Sequence, residues 1–468
     1  MAASEFIDYM IPGKCGHLVG IGGVSMSPLA EVLSERGLII RGSDINESQT
    51  VMRLRSKGIS VTIGHNPQNT IGADFVVRTA AASDDNPEIA AARSLGIPVF
   101  ERAQAWGAIM REYDNAICIS GTHGKTTTTS MVTTILMQAG ADPTVMIGGT
   151  LPLIRSGYRI GSGRTIVMES CEYYNSFHWF SPTIAVVLNV DEDHLDFFGD
   201  IENIKKSFRK FAGLTPADGC IILNADDTNT LDALNGINRR IISFGIDKNA
   251  DVKAKNISLG KLTAFDIYYM EKLFCHIRLG LAGIHNVKNA LAAAAACIAL
   301  DIPAEAITKG LACFEGAERR LQYKGSFNGA DIYDDYAHNP GELSALFEAV
   351  CELGYDRVIC AFQPHTYSRT KLLFDDLVRE LKKPDILLLA QIYAAREADT
   401  MGISSAMLAE RIEGAVCCRS FEVIADTIRS MARPGDVVLT VGAGDIYKIG
   451  EMLAVSSNDD CQNHSNAK

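Results

Sequence analysis

Several absences narrow the possibilities for this chain before any motif is read. No apolar run reaches the length of a membrane span, so no membrane insertion is expected. The first residues, Met1-Ala2-Ala3-Ser4-Glu5-Phe6, lack a basic stretch followed by an apolar core, so no signal peptide is expected either. Positive charge is scarce. The formal net charge is -12, whereas a nucleic-acid partner favours a basic face, and no such partner is expected. No Cys-x-x-Cys occurs among the 12 cysteines, and Cys417-Cys418 is the one adjacent pair. Scattered in this way, they do not make a disulfide framework. They read as reduced, mostly buried thiols of a cytoplasmic protein.

What is present is a globular composition, 47% apolar and 21% charged. A chain of 468 residues exceeds what one core supports, and three domains is the central expectation.

The rest is organised around Ser120-Gly121-Thr122-His123-Gly124-Lys125-Thr126-Thr127. The apolar run Asn115 to Ile119 before it predicts a buried strand, and Met131 to Gly140 after it has helical spacing. A strand, a Gly-rich turn, Lys-Thr and a helix form a phosphate cradle. Backbone N–H groups and the helix start face the anion, the lysine reaches the outer phosphates and the threonine hydroxyl binds magnesium. The full P-loop pattern wants a further glycine, where this chain has Ile119.

Taken in order, residues 1–16 read as an arm. A strand at His17 runs into Gly20-Ile21-Gly22-Gly23. A helix over 28–36 and a second strand ending at Asp44 follow. This βαβ unit predicts a nucleotide diphosphate on the turn and a ribose on the acid. A dinucleotide fingerprint needs glycine at Ser25, so a nicotinamide cofactor is a weak reading. In the next domain the strand 165–168 ends at Glu169, and the strand 183–189 leads into Asp191, Asp193 and His194. In an open parallel sheet, ligands lie beyond the carboxyl ends of the strands. Carboxylate and imidazole there are ligands that suit magnesium beside phosphates. His285, Asn286 and Asn289 fall on about one face near the start of an Ala-rich helix. A third α/β domain carries strands at 330–334, 357–362, 386–390 and 436–441, and the polar tail from Ser456 is expected to be disordered.

In this order, the motifs Gly20-Ile-Gly-Gly23, Gly121-Thr-His-Gly-Lys-Thr-Thr-Thr128, Glu169 with Asn175-Ser176-Phe177, and Asp193-His194 are specific as a set. So are His285-Asn286 with Asn289, Arg319-Arg320, Asp334-Asp335-Tyr-Ala-His338 and Phe362-Gln-Pro-His365. The chain resembles the Mur ligases, the ATP-dependent amide ligases of peptidoglycan synthesis, over residues 15 to 452. The resemblance implies an α/β protein of three domains. These are a Rossmann-like UDP-sugar-binding domain at 1–113, a central P-loop ATP-binding domain at 114–322, and a Rossmann-like domain at 323–468 for the amino acid and part of the nucleotide. It implies UDP-N-acetylmuramate and L-alanine as small-molecule substrates, ATP and Mg2+ as cofactors, and a monomer or weak homodimer.

The resemblance also distributes roles. Gly20, Gly22, Gly23, Asp44, Asn175 and Ser176 would bind the UDP-sugar. Gly121, Thr122, His123, Gly124, Lys125, Thr126, Thr127, Asn289, Arg320 and Asp335 would bind ATP. Thr126, Glu169 and His194 would hold the metal. Tyr336, His338 and Arg369 would meet the amino acid, and Lys125, Glu169, His194, His338 and Arg369 would carry the catalysis. Glu169-Ser170-Cys171-Glu172 departs from the Glu-Ala-Asp-Glu common in the family, and Tyr336-Ala-His338-Asn339 from its Tyr-Gly-His-His. Thr366 stands where an arginine is common, so one arginine rather than two would meet an amino-acid carboxylate. The rival readings are a recycling ligase that adds a tripeptide to the same sugar, a P-loop ATPase switch, and an NAD-binding dehydrogenase.

Overall fold

The computed structural model describes residues 6–454 apart from Ala80 and Arg396. The tail from Ser456 lies outside the described residues. The first sheet is wholly parallel. It consists of β1 (Cys15–Val19), β2 (Ile39–Asp44), β3 (Ser60–Ile63), β4 (Phe75–Arg78) and β5 (Val99–Glu101), in the order β3-β2-β1-β4-β5. The order reverses between β1 and β4, and the Gly20–Gly23 turn leaves β1 at that reversal. Doubly wound sheets leave a crevice there for a ligand.

The expected arm is a correction. Phe6 is fully buried, edge-on to Phe75 and Phe100 with ring centroids 5.3 and 5.1 Å away, and β1 already begins at Cys15. Burying such a ring stabilises by roughly 1.5–3 kcal/mol, which ties the segment to the sheet.

The second sheet has ten strands. They are β6 (Asn115–Ser120), β7 (Thr144–Leu151), β8 (Ser156–Arg159), β9 (Thr165–Glu169), β10 (Ile184–Val187), β11 (Cys220–Asn224), β12 (Arg240–Gly245), β13 (Val252–Ser258), β14 (Thr263–Tyr269) and β15 (Lys272–Leu279). Their order is β15-β14-β13-β12-β11-β10-β6-β9-β7-β8. β6 lies between β10 and β9, parallel to both, so the loops leaving these three strands are neighbours. Ala116 to Ile119 are all buried, the continuous apolar run of a strand covered on both faces.

The helix after β6 runs Lys125–Gln138, starting earlier than the apolar spacing from Met131 predicts. A run of β-branched threonines is poor helix material in isolation. Here it is buried, and the hydroxyls of Thr129 and Thr133 are satisfied within the helix. Thr129 Oγ1 donates to Lys125 O at 2.7 Å and Thr133 Oγ1 to Thr129 O at 2.7 Å. Burial thus overrides propensity.

The third sheet contains β16 (Gln322–Phe327), β17 (Ala330–Asp335), β18 (Arg357–Phe362), β19 (Ile386–Leu389), β20 (Val416–Cys417) and β21 (Asp436–Val441), in the order β16-β17-β21-β18-β19-β20. Only the edge strand β16 is antiparallel to its neighbour, so the expected α/β class holds here as well. By compactness the chain divides into two units. One runs to Lys255 and adds Asp266–Ile277 and Lys288–Phe314; the other comprises Asn256–Phe265, Arg278–Val287 and the chain from Glu315 onward.

Candidate active site

The loop between β6 and its helix is shaped by two glycines. Gly121 and Gly124 have φ of +146° and +85°, in the region L side chains avoid. A Cβ at Gly124 would also stand 2.4 Å from Asn289 Oδ1. That places Asn289 against the loop, and its Oδ1 accepts from Thr128 Oγ1 at 3.3 Å. Asn286, by contrast, donates from Nδ2 to Ala282 O at 2.7 Å.

The segment after β10 braces the loop. His123 N donates to Asn189 Oδ1 at 2.7 Å, and Asn189 Nδ2 donates to His123 O at 3.0 Å. Asp191 N donates to Thr122 Oγ1 at 2.9 Å. Thr127 is buried behind them.

Lys125 folds back on its own loop. Nζ donates to Gly121 O at 2.5 Å and Thr122 O at 3.1 Å, and it pairs with Glu172 Oε1 and Oε2 at 3.2 and 3.1 Å. Burial alone would pull its pKa down; the charge of Glu172, with Cys171 and Glu169, outweighs that and holds the ammonium above its usual range. Thr126 Oγ1 donates to Glu169 Oε1 at 3.1 Å, while Gly148 N holds Glu169 Oε2 at 2.6 Å. Two hard oxygens beside a phosphate loop fit magnesium, which takes one or two carboxylates and fills the rest of its shell with phosphate oxygens and water. His194 makes a different contact. Its ring lies flat on Tyr173 with centroids 4.2 Å apart, and among the described residues no hydrogen bond or ion pair joins it to Thr126 or Glu169. Among the described residues, no group of three or more His, Cys, Asp or Glu that could hold a metal occurs.

At the turn after β1, Gly20 N and Ile21 N donate to Ser43 O at 2.9 and 3.0 Å, and Gly22 N donates to Asp44 Oδ2 at 2.9 Å. The Asp44 carboxylate therefore braces the turn beside which it was expected to bind a ribose. Gly23 N closes the turn onto Gly20 O at 3.1 Å. Behind it, fully buried Glu88 accepts from Ser43 Oγ and Asn69 Nδ2, with His65 Nδ1 at 3.0 Å and His17 Nε2 at 3.4 Å. Burial would raise the Glu88 pKa; the partners His17, Ser43 and Asn69 overcome it and bring it down to about 2. Asn175 and Ser176 turn inward. Asn175 Oδ1 accepts from Ser207 Oγ, and Ser176 Oγ donates to Tyr173 O at 2.7 Å.

In the other unit, β17 ends in Asp334 and Asp335, both buried. Arg319 spans Asp334 at 3.0 Å and Gly444 O at 2.9 Å, with its guanidinium over the rings of Tyr336 and Tyr447. Arg320 lies over Tyr336 as well, 3.8 Å from Glu342 Oε1. Burial pushes the Asp335 carboxyl up to about 6, against Arg320 and the N–H groups of Ala337 and Leu321. His338 Nδ1 donates to Tyr336 O at 3.0 Å, which leaves Nε2 as its basic atom. Its ring meets His365 edge-on at 5.5 Å, and Arg369 Nη1 donates to His365 Nδ1 at 3.2 Å. Burial, with His338 and Arg369 nearby, lowers the His365 pKa to about 4, so a neutral ring accepts that bond. Tyr336, His338 and Arg369 thus share one cluster.

Among the members of these clusters that the sequence does not point to as site residues are Glu172, Asn189, Glu342 and His365. Glu172 and His365 stood inside quoted motifs and Asn189 ended a predicted strand; Glu342 lies one turn into a helix and carried no local signal.

Parallel sheets with a Gly-Lys-Thr loop at a helix start and a carboxylate on the adjoining strand define a P-loop protein of the α/β class. Residues 16–114 match the description Mur ligase family, catalytic domain; 119–297 match Mur ligase middle domain; and 319–444 match Mur ligase, glutamate ligase domain. The chain belongs to the Mur ligase family. It is 46% identical to UDP-N-acetylmuramate--L-alanine ligase of Acetivibrio thermocellus over 96% of this chain and 98% of that one. It is 45% identical to the enzyme of the same name from Clostridium novyi over 93% and 96%. Among solved structures, UDP-N-acetylmuramate-alanine ligase from Thermotoga maritima is similar with a TM-score of 0.78 at 27% identity, covering 96% of this chain and 99% of that one.

Proposed function

We propose that the chain is an ATP-dependent ligase that joins L-alanine to the lactyl carboxylate of UDP-N-acetylmuramate. The products are UDP-N-acetylmuramoyl-L-alanine, ADP and phosphate, on the route to peptidoglycan and hence to cell shape and division. The observation that carries the reading is 46% identity, over 96% of the chain, to a relative named for that reaction. Both nucleotide substrates and the unpaired thiols among the described residues suit the cytoplasm.

The reaction has two steps. A lactyl carboxylate oxygen attacks the γ-phosphorus of ATP, the bond to the bridging oxygen breaks and ADP leaves. The alanine amine then attacks the carbonyl of the acyl phosphate, and phosphate departs from the tetrahedral intermediate. Two anions must meet first, and Lys125 with the loop N–H groups of 121–127 offsets their repulsion. Magnesium, when bound, neutralises charge on the transferred group, and Thr126 and Glu169 would hold it, with His194 in the same shell by resemblance to the family. Asn289, Arg320 and Asp335 bind the nucleotide. The turn at Gly20, Gly22 and Gly23 takes the UDP part, with Asp44, Asn175 and Ser176 serving the same substrate. Tyr336 and Arg369 receive the amino acid, and His338 Nε2 takes the proton that the amine sheds.

The test is ADP release by the full chain with UDP-N-acetylmuramate, comparing L-alanine with other amino acids and with the tripeptide. Turnover with L-alanine above all others supports the reading. Turnover with the tripeptide alone, or ATP hydrolysis without any acceptor, would refute it.

A further inference from the structure

The sheet of ten strands closes on an edge strand, β8, whose only neighbour in the sheet is β7. β7 in turn pairs with β9 as far as Met146, and between Met146 and Leu151 its pairing with β8 is irregular. The stretch that lacks a regular ladder contains Gly148 and Gly149, and it is the stretch that lies against the Thr126–Glu169 pair. Gly148 N donates to Glu169 Oε2 at 2.6 Å, a Cβ on Gly148 would collide with that carboxylate, and a Cβ on Gly149 would stand 3.2 Å from Thr126 Cγ2. Its placement therefore depends on what fixes β8.

Tyr158 supplies that anchor. It stands opposite Met146 in the ladder, and its hydroxyl donates to Glu31 Oε1 at 2.6 Å. Glu31 is 3% exposed and lies on the helix Met26–Glu35, which leaves the Gly20–Gly23 turn. Lys57 Nζ donates to its other oxygen at 2.7 Å. Arg53 Nε is 3.5 Å from Oε1, with its guanidinium 5.2 Å from the centroid of the Tyr158 ring. A buried carboxylate is costly unless paired and hydrogen-bonded, and two cations and a phenol meet that need here. Burial, with Glu31 alongside, pushes the Tyr158 pKa upward, so the phenol keeps the proton it donates. Arg159 and Ser162, by contrast, bind Asp142 at the base of the hairpin, before β7 begins.

We propose that Tyr158 is a positioning residue for the magnesium site: its hydroxyl on Glu31 ties the β7–β8 hairpin to the helix behind the nucleotide-sugar turn, and so keeps the Gly148 N–H on Glu169. Glu169 held in this way presents its other oxygen beside Thr126 Oγ1. The proposal rests on the ligase reading above, but half of its test needs neither substrate nor metal. The alternative is a clamp that holds the first two sheets together and does nothing for Glu169.

Tyr158→Phe removes the hydroxyl and keeps the ring, Glu31→Ala removes the acceptor, and Glu31→Gln keeps one. Amide hydrogen exchange is followed on the full chain, free of nucleotide and metal, in peptides covering 144–151. The magnesium dependence of ADP release is measured at saturating substrates. Tyr158→Phe and Glu31→Ala are expected to speed exchange in 144–151 while the strands of the first sheet stay protected. They should raise the magnesium concentration for half-maximal turnover roughly three- to tenfold, with turnover at saturating magnesium within about twofold of wild type. Glu31→Gln should fall between these variants and wild type. The double variant Tyr158→Phe with Glu31→Ala should add nothing to the larger single effect, because both changes remove one bond. Unchanged exchange in 144–151, or a magnesium shift under about twofold in both single variants, would overturn the proposal. So would a fall in turnover that saturating magnesium does not restore. Exchange that rises across the first sheet with no magnesium shift leaves the clamp alone and overturns it too. A wild type that releases no ADP refutes the ligase reading instead, and the exchange measurement still decides whether Tyr158 holds Gly148.

Discussion

Lys125 Nζ and Glu172 Oε2 lie 3.1 Å apart, with the lysine side chain 15% exposed and the glutamate 3%. The pair is nearly enclosed, and the ammonium is saturated by Glu172 together with two carbonyls of its own loop. The charge expected to meet phosphates is therefore already matched in the protein alone.

Lys125→Ala should abolish ligation in a folded protein. A lysine at the start of the helix after a phosphate loop acts on the charge that develops in the transition state. A fall of at least a hundredfold, about 2.7 kcal/mol, is expected in steady-state ADP release. A folded variant that keeps more than a hundredth of the wild-type rate removes Lys125 from the phosphate role.

Glu172→Ala should do something different. It strands a buried ammonium, and breaking such a pair costs about 3–5 kcal/mol. Phosphates can replace the missing charge, so Mg-ATP should raise the melting temperature of this variant more than that of the wild type. Equal shifts in the two proteins would show that Glu172 and the nucleotide do not share Lys125.

Glu169→Gln and Thr126→Ala should both raise the magnesium concentration needed for half-maximal turnover, because their oxygens are 3.1 Å apart at one place. His194→Ala should shift it less, because its ring is held on Tyr173. Magnesium titrations of the three variants check this, and an unchanged titration for Glu169→Gln excludes it from the metal shell.

Arg369→Ala should weaken L-alanine selectively. A free amino acid offers one carboxylate, and an arginine grips it with two parallel bonds. Losing that grip costs on the order of 2–4 kcal/mol, a thirty- to thousandfold rise in the Michaelis constant. Thr366 contributes no second charge. Varying each substrate in turn decides the matter. An L-alanine constant within threefold of wild type, or equal damage to ATP and the UDP-sugar, counts against the assignment.

Glu88→Gln should reveal a pH-dependent brace under the Gly20 turn. The folded carboxyl titrates at about 2 against 4.5 in the unfolded chain. Its stabilisation is thus full above pH 4.5 and fades as pH falls toward about 2. The shift corresponds to about 3 kcal/mol at neutral pH. Urea midpoints of both proteins, taken from about pH 6 down to about pH 3, should converge on acidification. A gap that stays constant would mean the ionised form carries no special stabilisation.

The sequence by itself determined the α/β class, the phosphate loop at 120–127, the Gly-rich turn at 20–23 and the strand ends beside Glu169 and Asp335. All of these are local. A run of apolar residues, two glycines where the backbone must turn left-handed and a Lys-Thr at a helix start occupy consecutive positions, so periodicity and backbone sterics suffice to read them. The tertiary structure decided the rest. It set β6 between β9 and β10, brought Glu172 onto a lysine 47 positions away, seated Phe6 against Phe75 and Phe100, and laid His194 on Tyr173. It joined Arg369 to His365. Such pairings depend on which strands become neighbours and on which charges burial forces together, and neither leaves a periodic trace along the chain.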